Sequence, residues 1–378
     1  MASGLRARLR AMDSRTGASE HNGSTGGLFF HMERYDPEPG LTSLSAVGLR
    51  RIGWNGNRFD VSRCLFLDTE TTGLSHGAGT VAFLVGAGFL KDGCFTVEQY
   101  LMRDYSQEPE LLNRLADRME GFDYVCTFNG KTFDMPLLET RFTMCRMRHR
   151  WRGWENLDLL PPARRTWKLR LGSCRLARLE EMILNQSRGD DLPGSEVPKR
   201  YFAYLKSGDS SLLEGILRHN RQDIVTLQTL LVRLCALYDA PENLREKQDL
   251  FSVGKALERQ GELKPARMLY RMAAIPAPAG TLTALKGDRI AGMANWRIYL
   301  MYRRTGNVEG MRAVLEQMRI RKQMPCEVLT ELSKFYEHRC KDLARALEYA
   351  REARSLCSDE AVTALNRRIE RLQNKLGK

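Results

Sequence analysis

Apolar and polar positions divide the chain into two regimes. The first begins at CLFLD (64–68), a short apolar run bounded as a buried strand is. TVAFLVGAGFL (80–90) and CFTVEQYLM (94–102) follow, joined by Lys91-Asp92-Gly93, which reads as a hairpin turn. Residues 107–119 place Leu111, Leu112, Leu115 and Met119 on one side of a predicted helix. YVCTF (124–128) is again strand-like and 133–146 again helical, and an apolar-periodic helix opens near His219 and runs to about 237. Three strands able to pair antiparallel, then helix, strand and helix, predict an α/β fold with a mixed sheet flanked by helices.

From about residue 245 the strand signal stops, and Leu, Met, Ala and Tyr recur at helical spacing to the end. Three helical hairpins can be aligned. Gly254, Gly261, Ala266, Tyr270 and Ala273 fall at the small and aromatic positions of a tetratricopeptide (TPR) repeat. A second hairpin runs around Tyr299, Tyr302 and Gly306, with Met311 where a small residue is expected. A third carries Tyr336, Ala346, Ala350 and Ala353. Stacked repeats or a plain helical bundle both satisfy this pattern. The expected organisation is a disordered polar leader over 1–27, an irregular extension over 28–62, an α/β domain over 63–240 and TPR-like helices over 245–378.

Composition changes this picture little. Of 378 residues, 43% are hydrophobic and 28% charged, which is ordinary globular usage. No apolar run approaches the roughly 20 residues of a membrane span, and the arginine-bearing start lacks the apolar core of a secretory signal. Nine scattered cysteines without a Cys-x-x-Cys predict reduced thiols and a soluble, cytoplasmic protein, with no disulfide framework or zinc site.

Candidate chemistry lies in three pieces. Asp68 and Glu70 are two apart on a strand, so both carboxylates face one place; like charges so close call for a cation, and hard oxygens suit Mg²⁺ or Mn²⁺. Thr71 and Thr72 turn the chain where a substrate backbone could approach. Asn129-Gly-Lys-Thr-Phe-Asp134 then links a strand to a helix, where Asp134 is either a helix cap or a ligand. His219 and Asp223 lie one helical turn apart on one face, readable as surface groups or as a base beside a ligand.

Taken together, LFLDTETTGL, NGKTFD and HNRQD resemble the motifs of the four-carboxylate (DEDD) exonuclease superfamily of RNase H-like fold. Residues 60–237 more specifically resemble the bacterial YprB-type RNase H-like family, on DTETTGLSHGAGT, FNGKTFD, DLLPPARR and HNRQD; a helical-repeat tail also occurs in that family. The resemblance implies a nuclease in which Asp68, Glu70, Asp134 and Asp223 hold two Mg²⁺ or Mn²⁺ ions and His219 acts on the attacking water. It also implies 3′→5′ polarity on single strands or ends. One departure stands out: histidine-type members place the His five residues before the last Asp, tyrosine-type members a Tyr four before it, and here a His sits four before Asp223. A structure-specific endonuclease, or a nucleic-acid-binding adaptor with weak chemistry, are the competing readings.

The net charge of +13 is concentrated between these motifs. Residues 141–178 hold ten arginines and one lysine against Glu155 and Asp158. That block suits a polyanion, and Trp151, Trp154 and Trp167 within it either stack bases or belong to the core. Asn129, Lys131, Arg148, Arg150, Arg164, Arg165 and Arg221 complete the candidate substrate contacts. The expected partners are nucleic acid at the α/β domain and a protein at the helical tail.

Overall fold

A computed structural model describes residues 20–21, 27–56, 58–73, 79–148, 151, 154–189, 192–276 and 288–377. The chain divides into two compact units, Met1–Ala240 and Pro241–Lys378.

The first unit is built on a sheet of seven strands: β1 (Glu20–His21), β2 (Phe29–Tyr35), β3 (Cys64–Thr71), β4 (Ala82–Lys91), β5 (Cys94–Leu101), β6 (Tyr124–Thr127) and β7 (Glu155–Asp158). Their order is β1-β2-β5-β4-β3-β6-β7. β3 runs antiparallel to β4 and parallel to β6, so it lies where the meander meets the parallel half. The β4–β5 hairpin closes as expected at Asp92 and Gly93. Both have positive φ, 51° and 76°, as a two-residue turn matching the sheet twist requires. Helices Glu108–Met119, Asp134–Met144, Leu160–Leu171 and Ser211–Asp239 flank the sheet.

Three strands escaped the sequence pattern. β1 falls in the stretch read as a disordered leader. β2 falls in the stretch read as irregular, because FFHMERY is an outlying strand with only His31 buried. β7 is four residues, ENLD, too short and too polar for period-two alternation to register. The long helix also starts eight residues before His219.

Its seat on the sheet is set by two glycines. A Cβ on Gly86 would lie 2.3 Å from Asn220 Oδ1, and one on Gly88 would lie 2.5 Å from Ile224 Cγ2. Positions i and i+2 share one face of β4, and Asn220 and Ile224 share one face of the helix. Bare backbone therefore lets the helix lie directly on the strand. Gly86 is the cross-strand partner of Asp68, so this close approach also fixes the height of the helix over the acidic end of β3.

In the second unit, helices Lys247–Arg259 and Leu263–Ala273 contact one another as neighbours. So do Arg289–Thr305 and Val308–Ile320, and Pro325–Phe335 and Leu343–Leu356; Asp359–Leu376 closes the series. Ala266, Ala273, Ala346, Ala350 and Ala353 are fully buried, and a Cβ on Gly254 would meet the Tyr270 ring at 2.9 Å. Small side chains let these helices approach closely.

One cysteine expectation is corrected: Cys326 and Cys357 form a disulfide, with Cα atoms 5.1 Å apart. Cys326 begins one helix and Cys357 caps the end of the next. Antiparallel packing brings together thiols that are 31 residues apart in sequence.

Candidate active site

The acids meet at the C-terminal end of β3. Asp68 accepts a hydrogen bond at Oδ2 from Asn220 Nδ2 (2.9 Å), and Asn220 Oδ1 in turn accepts one from Gln99 Nε2 (2.9 Å). Gln99 also donates to the carbonyl of Leu217 at 2.8 Å, so β5 clamps the amide that holds Asp68. Asp134 begins its helix, 5% exposed, and accepts at Oδ1 from the backbone and hydroxyl of Thr69 (3.1 and 2.6 Å). From the first turn of its helix its carboxylate reaches across to β3. Glu70 and Asp223 stand on either side of His219, whose Nε2 is 3.7 Å from an oxygen of each.

Charge crowding is visible in the proton affinities. Burial, then the charges of Asp223, Asp134 and Glu70, raise Asp68 well above the ordinary carboxylate range, against the bond from Asn220. Burial pushes Asp134 up to about 6, opposed by the Thr69 bonds and assisted by Asp158. Asp223 is raised by burial and by Glu180, with Arg188 and His219 pulling the other way. Surroundings that favour an added proton on an acid cluster also favour an added cation.

Three residues to which the sequence argument gave no role complete the site, Asp158 among them as the first residue of the DLLPPARR string. Arg188 donates through Nη2 to Asp223 Oδ1 and through Nε to Glu180 Oε2, and its Nη1 is 3.4 Å from His219 Nδ1. Glu180 is fully buried and also accepts from the Thr226 hydroxyl. Asp158 accepts from the backbone N–H groups of Asn129, Lys131 and Leu160 (2.8, 3.2 and 2.9 Å), which fixes the loop leading to Asp134. Arg188 and Glu180 sit around a π-helical turn, Glu180–Leu184, and the irregular segment after it, where no periodicity marks them.

The other candidate residues are distributed unevenly. The Thr71 hydroxyl donates to the Gly73 carbonyl and that of Thr72 accepts from Val81 N, so both hold their own turn. Asn129 has φ 71° and bonds Thr132. Arg165 donates to the Ile52 carbonyl at 2.9 Å, and Arg221 pairs with Glu33 at 2.8 Å. Two residues along a helix is about 200° of rotation, so Arg221 faces away from both His219 and Asp223. Lys131, Arg148 and Arg164 are exposed, and Arg150 lies outside the described residues. Trp151 and Trp167 are core side chains, 3% and 1% exposed, and Trp154 packs against the core.

The donor set of Asp68, Glu70, Asp134 and Asp223 fits hard divalent ions in kind. Among the described residues, however, no three His, Cys, Asp or Glu side chains are gathered closely enough to hold a metal ion. At Asp223 the nearest cation is the Arg188 guanidinium.

A mixed sheet in this order with acids at the end of β3 is an RNase H-like arrangement, and comparison agrees. Residues 65–235 match the family description RNase H superfamily. That match suggests nuclease activity. Among individual proteins, the chain is similar to the Bacillus subtilis (strain 168) protein named Uncharacterized protein YprB. The two are 28% identical over 331 residues, spanning 85% of this chain and 76% of the relative. A family B DNA polymerase structure from Pyrobaculum calidifontis matches 55% of this chain at 14% identity with a TM-score of 0.38; this chain spans 30% of the polymerase's length. Among the described residues no helix is long and apolar enough to cross a membrane.

Proposed function

We propose that residues 63–240 form a divalent-metal-dependent nuclease that hydrolyses phosphodiester bonds, acting 3′→5′ on single strands or frayed ends. The observation that carries this reading is the gathering of acids at the end of β3: Asp134 bonds Thr69, which stands between Asp68 and Glu70, and His219 lies 3.7 Å from both Glu70 and Asp223. Those four acids would hold two Mg²⁺ or Mn²⁺ ions. Bound ions lower the pKa of a coordinated water and stabilise the leaving oxygen.

The chain's own residues do the positioning. Gln99 and Asn220 fix the Asp68 carboxylate, and Thr69 fixes that of Asp134. His219, between Glu70 and Asp223, is set to orient or deprotonate a water at its ring nitrogen. Lys131, Arg148 and Arg164 remain the candidate phosphate contacts. The TPR-like helical hairpins of residues 245–378 serve as a protein-docking surface in this reading, and the setting is cytoplasmic.

A second reading, a nucleic-acid-binding adaptor with little chemistry, draws support from the Arg188–Asp223 pair, since it stands where a ligand to metal is needed. Incubation of the pure protein with end-labelled DNA and RNA, in Mn²⁺ and in EDTA, separates the two. Stepwise shortening from the 3′ end in Mn²⁺ and none in EDTA is expected. Internal cuts would point to an endonuclease, and binding without hydrolysis to the adaptor.

A further inference from the structure

The Arg188 guanidinium sits among the acids as a cation would. Each of its three nitrogens engages a different group: Nε with Glu180, Nη2 with Asp223 and Nη1 with His219. The side chain is 9% exposed, Glu180 0% and Asp223 14%. A buried positive charge between two carboxylates is held strongly, because removing either partner leaves an uncompensated charge. Arginine has donors only, so at the 3.4 Å contact His219 Nδ1 must be the acceptor, and a neutral ring then carries its hydrogen on Nε2. That is the nitrogen facing Glu70 and Asp223, and in this tautomer it has no lone pair with which to take a proton from water. The backbone around Arg188 is irregular. Asn185 ends the preceding helix at φ 54°, and Gly189 follows at φ 59°. Loop backbone can shift where regular helix cannot.

We infer that Arg188 is a built-in counter-ion that holds the site in a resting state, occupying Asp223 and His219 until divalent metal displaces it. Glu180, fully buried, keeps hold of Nε as the guanidinium withdraws, so the arginine stays beside the site. Metal and guanidinium then compete for Asp223. Competition is reciprocal: whatever weakens the arginine's hold strengthens that of the metal by the same factor. This inference rests on the metal-dependent reading above and adds a regulator to it.

The test is a Mn²⁺ titration of the full chain by calorimetry, with Arg188→Gln beside wild type, and melting curves at each metal concentration. Arg188→Gln should lower the metal-free melting temperature and tighten Mn²⁺ binding by a factor within the roughly 5–150-fold range of ordinary coupling. In an Asp223→Asn background the substitution should change Mn²⁺ affinity far less, because the contested ligand is gone. Equal or weaker Mn²⁺ binding by Arg188→Gln would overturn the counter-ion role while leaving the metal reading standing. Absence of Mn²⁺ binding by wild type and variant alike would overturn both. Should Arg188→Gln fail to fold, the guanidinium proton resonances of the unaltered chain decide. Mn²⁺ is paramagnetic, so Mg²⁺ is the probe there: a shift of the Arg188 signals at saturation is expected, and unchanged signals would sink the idea.

Discussion

The two units treat buried carboxylates in opposite ways. In the helical unit Glu337, with its side chain 1% exposed, is surrounded by Arg368, Arg371 and Lys375 at 2.6, 2.7 and 2.8 Å. Burial alone would raise its proton affinity, yet the Lys375 bond and the arginine charges outweigh that and hold it below the ordinary glutamate range. Glu258 is likewise met by Arg297 at 2.6 Å and by the Tyr270 hydroxyl at 2.7 Å. At the end of β3 the balance is reversed. Among the described residues, Arg188 pairs with Asp223 and Glu180, His219 lies beside Glu70 and Asp223, and the acids whose affinities move are pushed up. A carboxylate given its own cations is finished structure. A group of carboxylates whose proton affinities are raised is open to cations from outside, and here that difference separates scaffold from candidate chemistry.

The comparison breaks most sharply at Asp68 and Asp223. Asp68→Asn and Asp223→Asn each keep the shape and remove the charge, and each should abolish hydrolysis of a labelled strand. Without metal, Asp68→Asn should melt higher than wild type, because crowding is relieved. The pH dependence follows from the direction of the shifts. Asp68 and Asp134 bind protons more tightly folded than unfolded, Asp134 at about 6. Their contribution to stability is therefore full below the unfolded value near 4 and is lost as pH rises through the folded values. Metal-free wild type should lose stability as pH rises from about 4 through the folded values, Asp134's being about 6, and Asp68→Asn should flatten that loss. A melting profile in EDTA that is identical for both proteins would show that the acids do not crowd one another.

His219→Ala comes next. It leaves all four acids, so Mn²⁺-dependent stabilisation should survive while turnover falls by roughly 10²–10⁴-fold, the range for loss of a general base. Turnover within a few-fold of wild type would assign the base elsewhere.

The third effect falls on the other side of the comparison. Glu337→Gln leaves three cations around a neutral amide. Breaking a buried ion pair costs about 3–5 kcal/mol, but Arg371 and Lys375 are about half exposed, so about 1–3 kcal/mol in urea unfolding is expected. Mn²⁺ affinity should not move. If it did, the helical unit would be shaping the acid site.

How much of this was readable in the sequence depends on the range of the interaction involved. β3, the β4–β5 hairpin and β6 follow from local apolar runs and a Asp-Gly turn, and Asp68 and Glu70 share a face by strand alternation alone. The seat of the long helix is different: it depends on Gly86 and Gly88 meeting Asn220 and Ile224, more than 130 residues away. The alternating glycines inside an otherwise apolar strand were the one local trace of it. Arg188 and Glu180 lie where the chain has neither helical nor strand period, so only the assembled site gives them meaning. The tryptophans and Arg165 were ambiguous for a further reason. An arginine that donates to a distant carbonyl and one that faces solvent have the same neighbours in sequence.

The smallest expected effect separates those arginines. Arg148 and Arg164 are exposed, whereas Arg165 is bonded to the Ile52 carbonyl and Arg221 to Glu33. A phosphate contact releases counter-ion when it forms, by about 0.7 in the logarithmic salt slope per contact for a single strand. Arg148→Ala with Arg164→Ala should therefore flatten the slope by about 1.4 and weaken binding several-fold at moderate salt, leaving the melting temperature nearly unchanged. Arg165→Ala and Arg221→Ala should do the opposite. Each lowers the melting temperature by unpairing a partner, and neither alters the slope. The measurement is strand binding across a series of salt concentrations, with melting curves on the same preparations. A slope that responds to Arg221 but not to Arg148 and Arg164 would mean that the bound strand runs along the face of the long helix turned away from His219. The acids at the end of β3 would then be out of its reach.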